Sequence, residues 1–169
     1  HDCTQRVFMS DGAIYYACRD GHYVLKFVGD VRLTLCSTIE RHLEAVLERE
    51  DVSDTLVDLT ETENIDSTSL GLIAKLAIKA REKGMPLPTL VSTNGDITRI
   101  LYSMGFDRVF VLLEELPTSR CDLKQVPFVQ ESEDEVRERI LDAHKVLIDL
   151  NESNRNAFKD LVATLESCR

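Results

Sequence analysis

The sequence predicts an α/β protein: a mixed β-sheet led by an N-terminal β-hairpin, with helices packed on it and a helical extension at the C-terminal end. Three observations carry this. Two aromatic and β-branched runs, 13–18 and 22–28, flank Asp20-Gly21, a strong hairpin signal. Short apolar runs then alternate with amphipathic segments, the order of strand–helix crossovers that favours parallel pairing and right-handed connections. From residue 132 onward the pattern is helical throughout, with no Gly or Pro.

Tyr23, Leu25 and Phe27 share one face of the second strand. After Gly29-Asp30, residues 33–49 place Leu35, Ile39, Leu43 and Val46/Leu47 at helical spacing, with Glu40, Arg41, Glu44 and Glu48 largely opposite. Residues 56–60 (Leu-Val-Asp-Leu-Thr) read as a buried strand and 61–65 (Glu-Thr-Glu-Asn-Ile) as an acidic loop. A helix is expected over 67–83. Leu70, Leu72, Ile73, Leu76, Ala77 and Ala80 give it a wide apolar face, and Lys75, Lys79 and Lys83 an exposed stripe. Gly84 ends it, and Pro86 and Pro88 prevent its continuation. A short strand (89–92) follows. Asn94 or Asp96 then caps a helix holding Ile97, Ile100, Leu101 and Met104, which Gly105 terminates, before a last strand at 108–112. The order is β-β-α-β-α-β-α-β, and the expected divisions are a domain over 1–117, a linker over 118–131 and a helical extension over 132–169.

In that extension Ser132 and Glu135 match a capping box. Val136, Ile140, Ala143, Leu147 and Leu150 recur at 4-3-4-3 spacing, and the stripe runs on through Asn154, Phe158, Leu161, Leu165 and Cys168. The absence of a breaker favours one continuous helix over two folded back at 151–154. Such a stripe must bury itself on the chain's own α/β unit, on a second copy in a homodimer, or on a partner.

The chain has 169 residues, 43% of them hydrophobic, enough for one core with an appendage. Thirty acidic against twenty basic residues give a net charge of −10, which disfavours nucleic acid and anionic membrane and suits protein partners. No apolar run approaches a membrane span, and residues 1–6 lack the apolar core of a signal peptide. The five cysteines (Cys3, Cys18, Cys36, Cys121, Cys168) form no Cys-x-x-Cys pair, so they read as reduced thiols in a cytoplasmic protein rather than as a metal site. The histidines (His1, His22, His42, His144) are scattered. His42 and His144 read as surface or core-edge residues without a metal partner.

The chemistry concentrates at Asp66-Ser67-Thr68-Ser69-Leu70-Gly71, where a hydroxyl cluster opens a helix. Taken alone, Ser67 is an ordinary N-cap. The position is nonetheless competent to carry phosphate, because a helix N-terminus offers unpaired N–H groups and the positive end of the dipole. A phosphate there adds close to two negative charges to a neighbourhood holding Asp58, Glu61, Glu63 and Asp66, and so acts by repelling a docked partner.

The strand, polar loop and hexapeptide resemble the switch region of the STAS domain, the fold of bacterial anti-sigma factor antagonists, in which Asp-Ser-Ser/Thr-Gly-Leu-Gly opens a helix. The Gly-led loop after the hairpin, Val28-Gly29-Asp30, and the late helix Ile97-Thr98-Arg99-Ile100-Leu101-Tyr102-Ser103-Met104-Gly105-Phe106 resemble the same family. The resemblance covers roughly two-thirds of the chain, one domain of ordinary size. It implies a STAS-like mixed sheet and a regulatory binding protein with neither enzymatic activity nor a cofactor of its own. The phosphorylated residue would be Ser67, with Thr68 and Ser69 as alternative acceptors. The implied switch surface comprises Gly29, Asp30, Arg32, Asp66, Ser67, Thr68, Ser69, Leu70 and Lys75. The implied partners are an anti-sigma factor or serine kinase, which would bring ATP and magnesium, and a serine phosphatase. Two departures from the pattern stand out. Ser69 replaces the usual Gly, and Arg32 stands where many members carry an acidic residue, placed to pair with Asp66 or with phosphate on Ser67.

Two other readings follow from the residues. The C-terminal helix could do the binding in bacterial signalling, making the protein an interaction scaffold without a phospho-switch. Alternatively Ser67 or Ser69 could be a hydrolase nucleophile, but the Gly-x-Ser-x-Gly elbow is absent and no His stands in an evident motif downstream. A Gly-rich phosphate loop is also absent.

Overall fold

A computed structural model describes residues 12–117 and 123–168; Cys3, Cys121, His1 and the start of the expected linker lie outside the described residues. Strands β1 (Ala13–Arg19) and β2 (His22–Val31) form the hairpin, with Arg19 opposite His22. Asp20 and Gly21 have φ of 53° and 84°, the two left-handed positions of the tight turn that an Asp-Gly pair suits.

The predicted loops at Gly29-Asp30 and over 61–65 are strand instead. β2 continues through a bulge at Gly29 (φ 79°) to Val31, and β3 (Asp54–Ile65) runs parallel beside it, pairing Gly29 with Thr62, Asp30 with Asn64 and Val31 with Ile65. Each segment supplies the ladder partner the other needs. Glu61 and Glu63 are polar because they point outward from a strand, while Thr62 between them is buried and its hydroxyl donates to the Phe27 carbonyl at 2.8 Å.

The remaining crossover elements are α1 (Cys36–Leu47), entered by a 3-10 turn, α2 (Ser67–Glu82), β4 (Thr89–Val91), α3 (Gly95–Ser103) and β5 (Val111–Leu113). β5 starts later than expected. Phe106–Arg108 form a second 3-10 turn, and Phe106 stacks on Phe110 at 5.5 Å, both rings buried. Within the segment read as linker, β6 (Lys124–Gln125) pairs antiparallel with β1. The sheet order is β5-β4-β3-β2-β1-β6, with β2 through β5 parallel. Tyr23, Leu25 and Phe27 of β2, Val57 and Leu59 of β3, and Leu72, Ile73 and Leu76 of α2 fill one core.

The continuous C-terminal helix does not form. Helices α4 (Glu133–Ile148) and α5 (Glu152–Ser167) fold back at Asn151, whose extended backbone (φ −164°, ψ 169°) ends one helix and caps the next. The breaker is a network of amides, with no Gly or Pro required. The Asn151 side chain accepts from the Asn154 N–H at 2.8 Å and donates to the Ser103 carbonyl. Asn154, 3% exposed, donates to the carbonyls of Met104 and Leu147. These bonds tie the bend to the end of α3 and replace what a longer helix would have gained. The Ser132–Glu135 capping box is present. α4 packs on α2, burying Ala143, Leu147 and Leu150, so this part of the stripe is spent on the chain's own α/β unit.

Candidate functional site

β3 hands the chain to α2 at Asp66, which is extended (φ −88°, ψ 169°) and is itself the N-cap: its carboxylate accepts from the Ser69 N–H at 2.8 Å. The Asp66 N–H donates to the Val31 carbonyl at 3.1 Å, pinning the helix start to the end of β2. Ser67 is therefore the first helical residue and not the cap, and its hydroxyl is released from capping. Thr68 and Ser69 are buried, Leu70 belongs to the core, and the Ser69 hydroxyl has no hydrogen-bond partner among the described residues. Of the three residues, Ser67 alone is not buried but half-buried.

What Ser67 meets there is His144 of α4. The His144 Nδ1–H donates to the Ile140 carbonyl at 2.7 Å; in that tautomer Nε2 is the acceptor, and the Ser67 hydroxyl donates to it at 2.8 Å. The imidazole is 2% exposed and takes an edge contact from Phe158 of α5, with ring centroids 4.9 Å apart. One turn along α2, Gly71 lies directly under Ala143. A Cβ on Gly71 would stand 2.3 Å from the Ala143 carbonyl oxygen, so this close approach of the two backbones requires glycine.

One further turn along, the Lys75 ammonium bonds Glu40 Oε1 of α1 and Asp142 Oδ2 of α4, each at 2.6 Å. Burial pushes the Lys75 pKa down, but the bonds to Asp142 and Glu40 outweigh it and the net shift is upward. Arg139 forks onto Glu131 (2.7 and 3.1 Å), holding that carboxyl down to about 2, and stands 3.7 Å from Glu40. The expected free lysine stripe is thus largely committed. Lys75 joins three helices, Lys79 pairs with Glu82 at 3.7 Å, and Lys83 donates to the Leu47 carbonyl.

The other predicted site residues group less tightly. The Val31–Ile65 pairing sets Asp30 and Arg32 beside the start of α2, but Arg32 Nε bonds Asp30 at 2.9 Å, so the guanidinium is taken before it reaches Asp66. The acidic patch is also thinner than expected. Asp58 is buried and accepts from the Thr60 N–H, Glu61 pairs with Lys26, and Asp66 is used as a cap. Sequence reasoning missed His144 and the Glu40–Lys75–Asp142 junction. His144 adjoins Ala143 in the stripe, a small residue where two helices touch, and that was the one signal available.

A serine bonded to an imidazole is the arrangement of a nucleophile and its base. Here the ring is oriented by a backbone carbonyl instead of a carboxylate, and the Ser69 N–H at the helix start, a natural oxyanion donor, is consumed by Asp66. The pair is better equipped to hold α4 against α2 than to turn over an ester. Among the described residues no group of three or more His, Cys, Asp or Glu is arranged to hold a metal, and no helix is long and apolar enough to cross a membrane.

The same architecture occurs in solved structures. An anti-sigma factor antagonist from Mycobacterium paratuberculosis superimposes with a TM-score of 0.53 at 18% identity, covering 63% of this chain and 88% of that one. The Bacillus cell fate determinant SpoIIAA in its phosphorylated form gives 0.52 at 12% identity, covering 61% and 93%. The anti-sigma factor antagonist SpoIIAA in its unphosphorylated form gives 0.50 at 10% identity, covering 62% and 90%. At these identities the superpositions establish a shared fold and nothing more. No curated protein matches by sequence. The family model described as "Mlab, STAS domain" matches residues 15–114, more than half of the chain: the chain belongs to the STAS domain family.

Proposed function

We propose that this protein is a regulatory STAS protein that binds an anti-sigma factor or a switch kinase, and that phosphorylation of Ser67 controls the binding. The observation that carries this reading is the division of labour at the helix start. Asp66 makes the cap and frees the half-buried Ser67 hydroxyl, which bonds across to His144 of α4, while Thr68 and Ser69 are buried. A phosphate at that first helical position lies at the positive end of the helix dipole and adds close to two charges to the docking face without unfolding the domain. The antagonist structures that share the fold support the partner class. The kinase would supply nucleotide and metal, and a serine phosphatase would reset the site in the cytoplasm.

The test uses the full chain from its source organism. Mass spectrometry should find phosphate on Ser67, and Ser67→Ala should remove it while still capturing an anti-sigma factor or kinase. Ser67→Asp should capture at least tenfold less. Equal capture by the Asp and Ala variants would refute the charge switch and leave the scaffold reading, in which the C-terminal helices carry the binding.

A further inference from the structure

The face of α2 that carries Ser67 is already occupied. Ser67, Gly71 and Lys75 stand at i, i+4 and i+8, and meet His144, Ala143 and Asp142, three consecutive residues of α4. We propose that the α4–α5 hairpin is a tethered occupant of this face, and that a protein partner takes the face by displacing it with a helix of its own. That helix carries a small residue opposite Gly71 and a carboxylate opposite Lys75. The proposal deepens the reading of Ser67 as a partner-switching site and rests on it for the identity of the competitor.

Sterics make the two occupants exclusive. The α4 backbone lies so close that a single methyl on Gly71 would meet the Ala143 carbonyl oxygen at 2.3 Å, so no second helix fits between. The Ser67 hydroxyl points its proton at His144 Nε2, 2.8 Å away, leaving no approach along that line for a kinase or a phosphoryl group.

The chemistry of the contact is that of a separable interface. Beside the buried Ala143, Leu147 and Leu150 it holds a Ser–His bond and a lysine shared by two carboxylates, groups that water solvates well once parted. Closure even leaves a cost in place: Glu40 Oε2 is buried with no partner among the described residues.

The tether has a defined pivot. The Val126 N–H donates to the Ile14 carbonyl and the Val129 N–H to Thr38 Oγ1, so the segment is fastened to the α/β unit as far as Val129. Glu131 bonds to Arg139 of the hairpin and also to Ser37 of α1, so the fastening reaches the residue before the α4 cap. Release therefore turns at Glu131–Ser132 and parts the Ser37 bond. A tether this short keeps the hairpin at an effective concentration on the order of millimolar, which a partner must exceed in affinity.

The test places a thiol at the covered position in the full chain (Ser67→Cys) and follows its alkylation by iodoacetamide with peptide-resolved mass spectrometry, using the exposed Cys168 as the internal standard. Two variants open the hairpin: Ala143→Glu at the contact, and Asp142→Lys at its half-exposed edge, which reverses the charge facing Lys75 and leaves the core intact. The expected result is labelling at position 67 at least tenfold slower than at Cys168 in the parent, and at least tenfold faster in either open variant. A synthetic peptide of residues 132–168 added to the Asp142→Lys protein should restore the slow rate, and the same peptide carrying Ala143→Glu should not. Labelling at position 67 as fast as at Cys168 in the parent would overturn the proposal, as would a rate that neither variant changes or a peptide without effect at millimolar concentration. None of these measurements needs a kinase, so the cover is tested separately from the phospho-switch. An open variant with no phosphate on Ser67 in cells would remove the switch and leave the cover standing.

Discussion

The two sides of α2 are built from different materials. One carries Leu70, Ile73, Leu76, Ala77 and Ala80, none more than 1% exposed. The other carries Ser67, Gly71 and Lys75 beneath α4. Burying a large apolar side chain stabilises a fold by roughly 1.5–3 kcal/mol, whereas an ion pair taken out of water returns little net energy once desolvation is counted. One helix thus has a face held by apolar burial alone and a face where polar bonds stand beside the buried Ala143 and Leu147 of α4. Glycine at position 71 brings the second face close, and the polar residues on either side of it set register.

The largest effect should come from the apolar side. Leu76→Ala leaves a cavity in the core and is expected to cost about 3 kcal/mol of global stability, read as a lower urea midpoint. A loss below about 1 kcal/mol would erase the contrast between the two faces. Gly71→Val should cost about 2 kcal/mol, but locally: α4 and α5 amides should exchange faster while those of β2 and β3 hold their protection. Lys75→Met should cost about 1–2 kcal/mol, because among the described residues Glu40 then keeps only Arg139 at 3.7 Å as an ion-pair partner. Adding Glu40→Leu should recover most of that loss, since the stranded carboxylate is the source of the penalty.

A smaller effect, set by pH, reports on the core beside the hairpin. Burial lowers the His42 pKa to about 4, and its Nε2 accepts from the Tyr23 hydroxyl against the hairpin side of the core. The folded value lies below the ordinary 6.5, so between pH 6.5 and about 4 the unfolded chain binds the proton and the folded chain does not. Stability from this group is complete above 6.5 and declines as pH falls through that window. The Tm difference between wild type and His42→Asn should therefore shrink from pH 7 to pH 4.5; a constant difference would place the acid sensitivity elsewhere.

Much of the fold was legible because local signals agreed with one another. Asp20-Gly21 specifies its turn by backbone conformation, the stripes of α1 and α2 follow helical period, and Ser132 with Glu135 announces the start of α4. The failures share a cause. Residues 61–65 looked like loop because their outward polar side chains mask a ladder supplied by β2 some thirty residues earlier, and the break at Asn151 depends on carbonyls of Ser103 and Met104. At the site, the hexapeptide located the helix start and singled out Ser67, but it could not say that Asp66 makes the cap or that the Ser67 hydroxyl bonds His144.

By itself, then, the sequence determined the strand–helix order, the hairpin, and the placing of a hydroxyl cluster at the head of α2, because these depend on residues close together in the chain. Only the tertiary structure decided what covers that cluster. His144 lies 77 positions from Ser67, and Asp142 lies 67 from Lys75. Such pairs carry no periodicity or motif; they come together because Gly71 lets the α4 backbone settle onto α2, a complementarity of shape that exists only once both helices have formed and met.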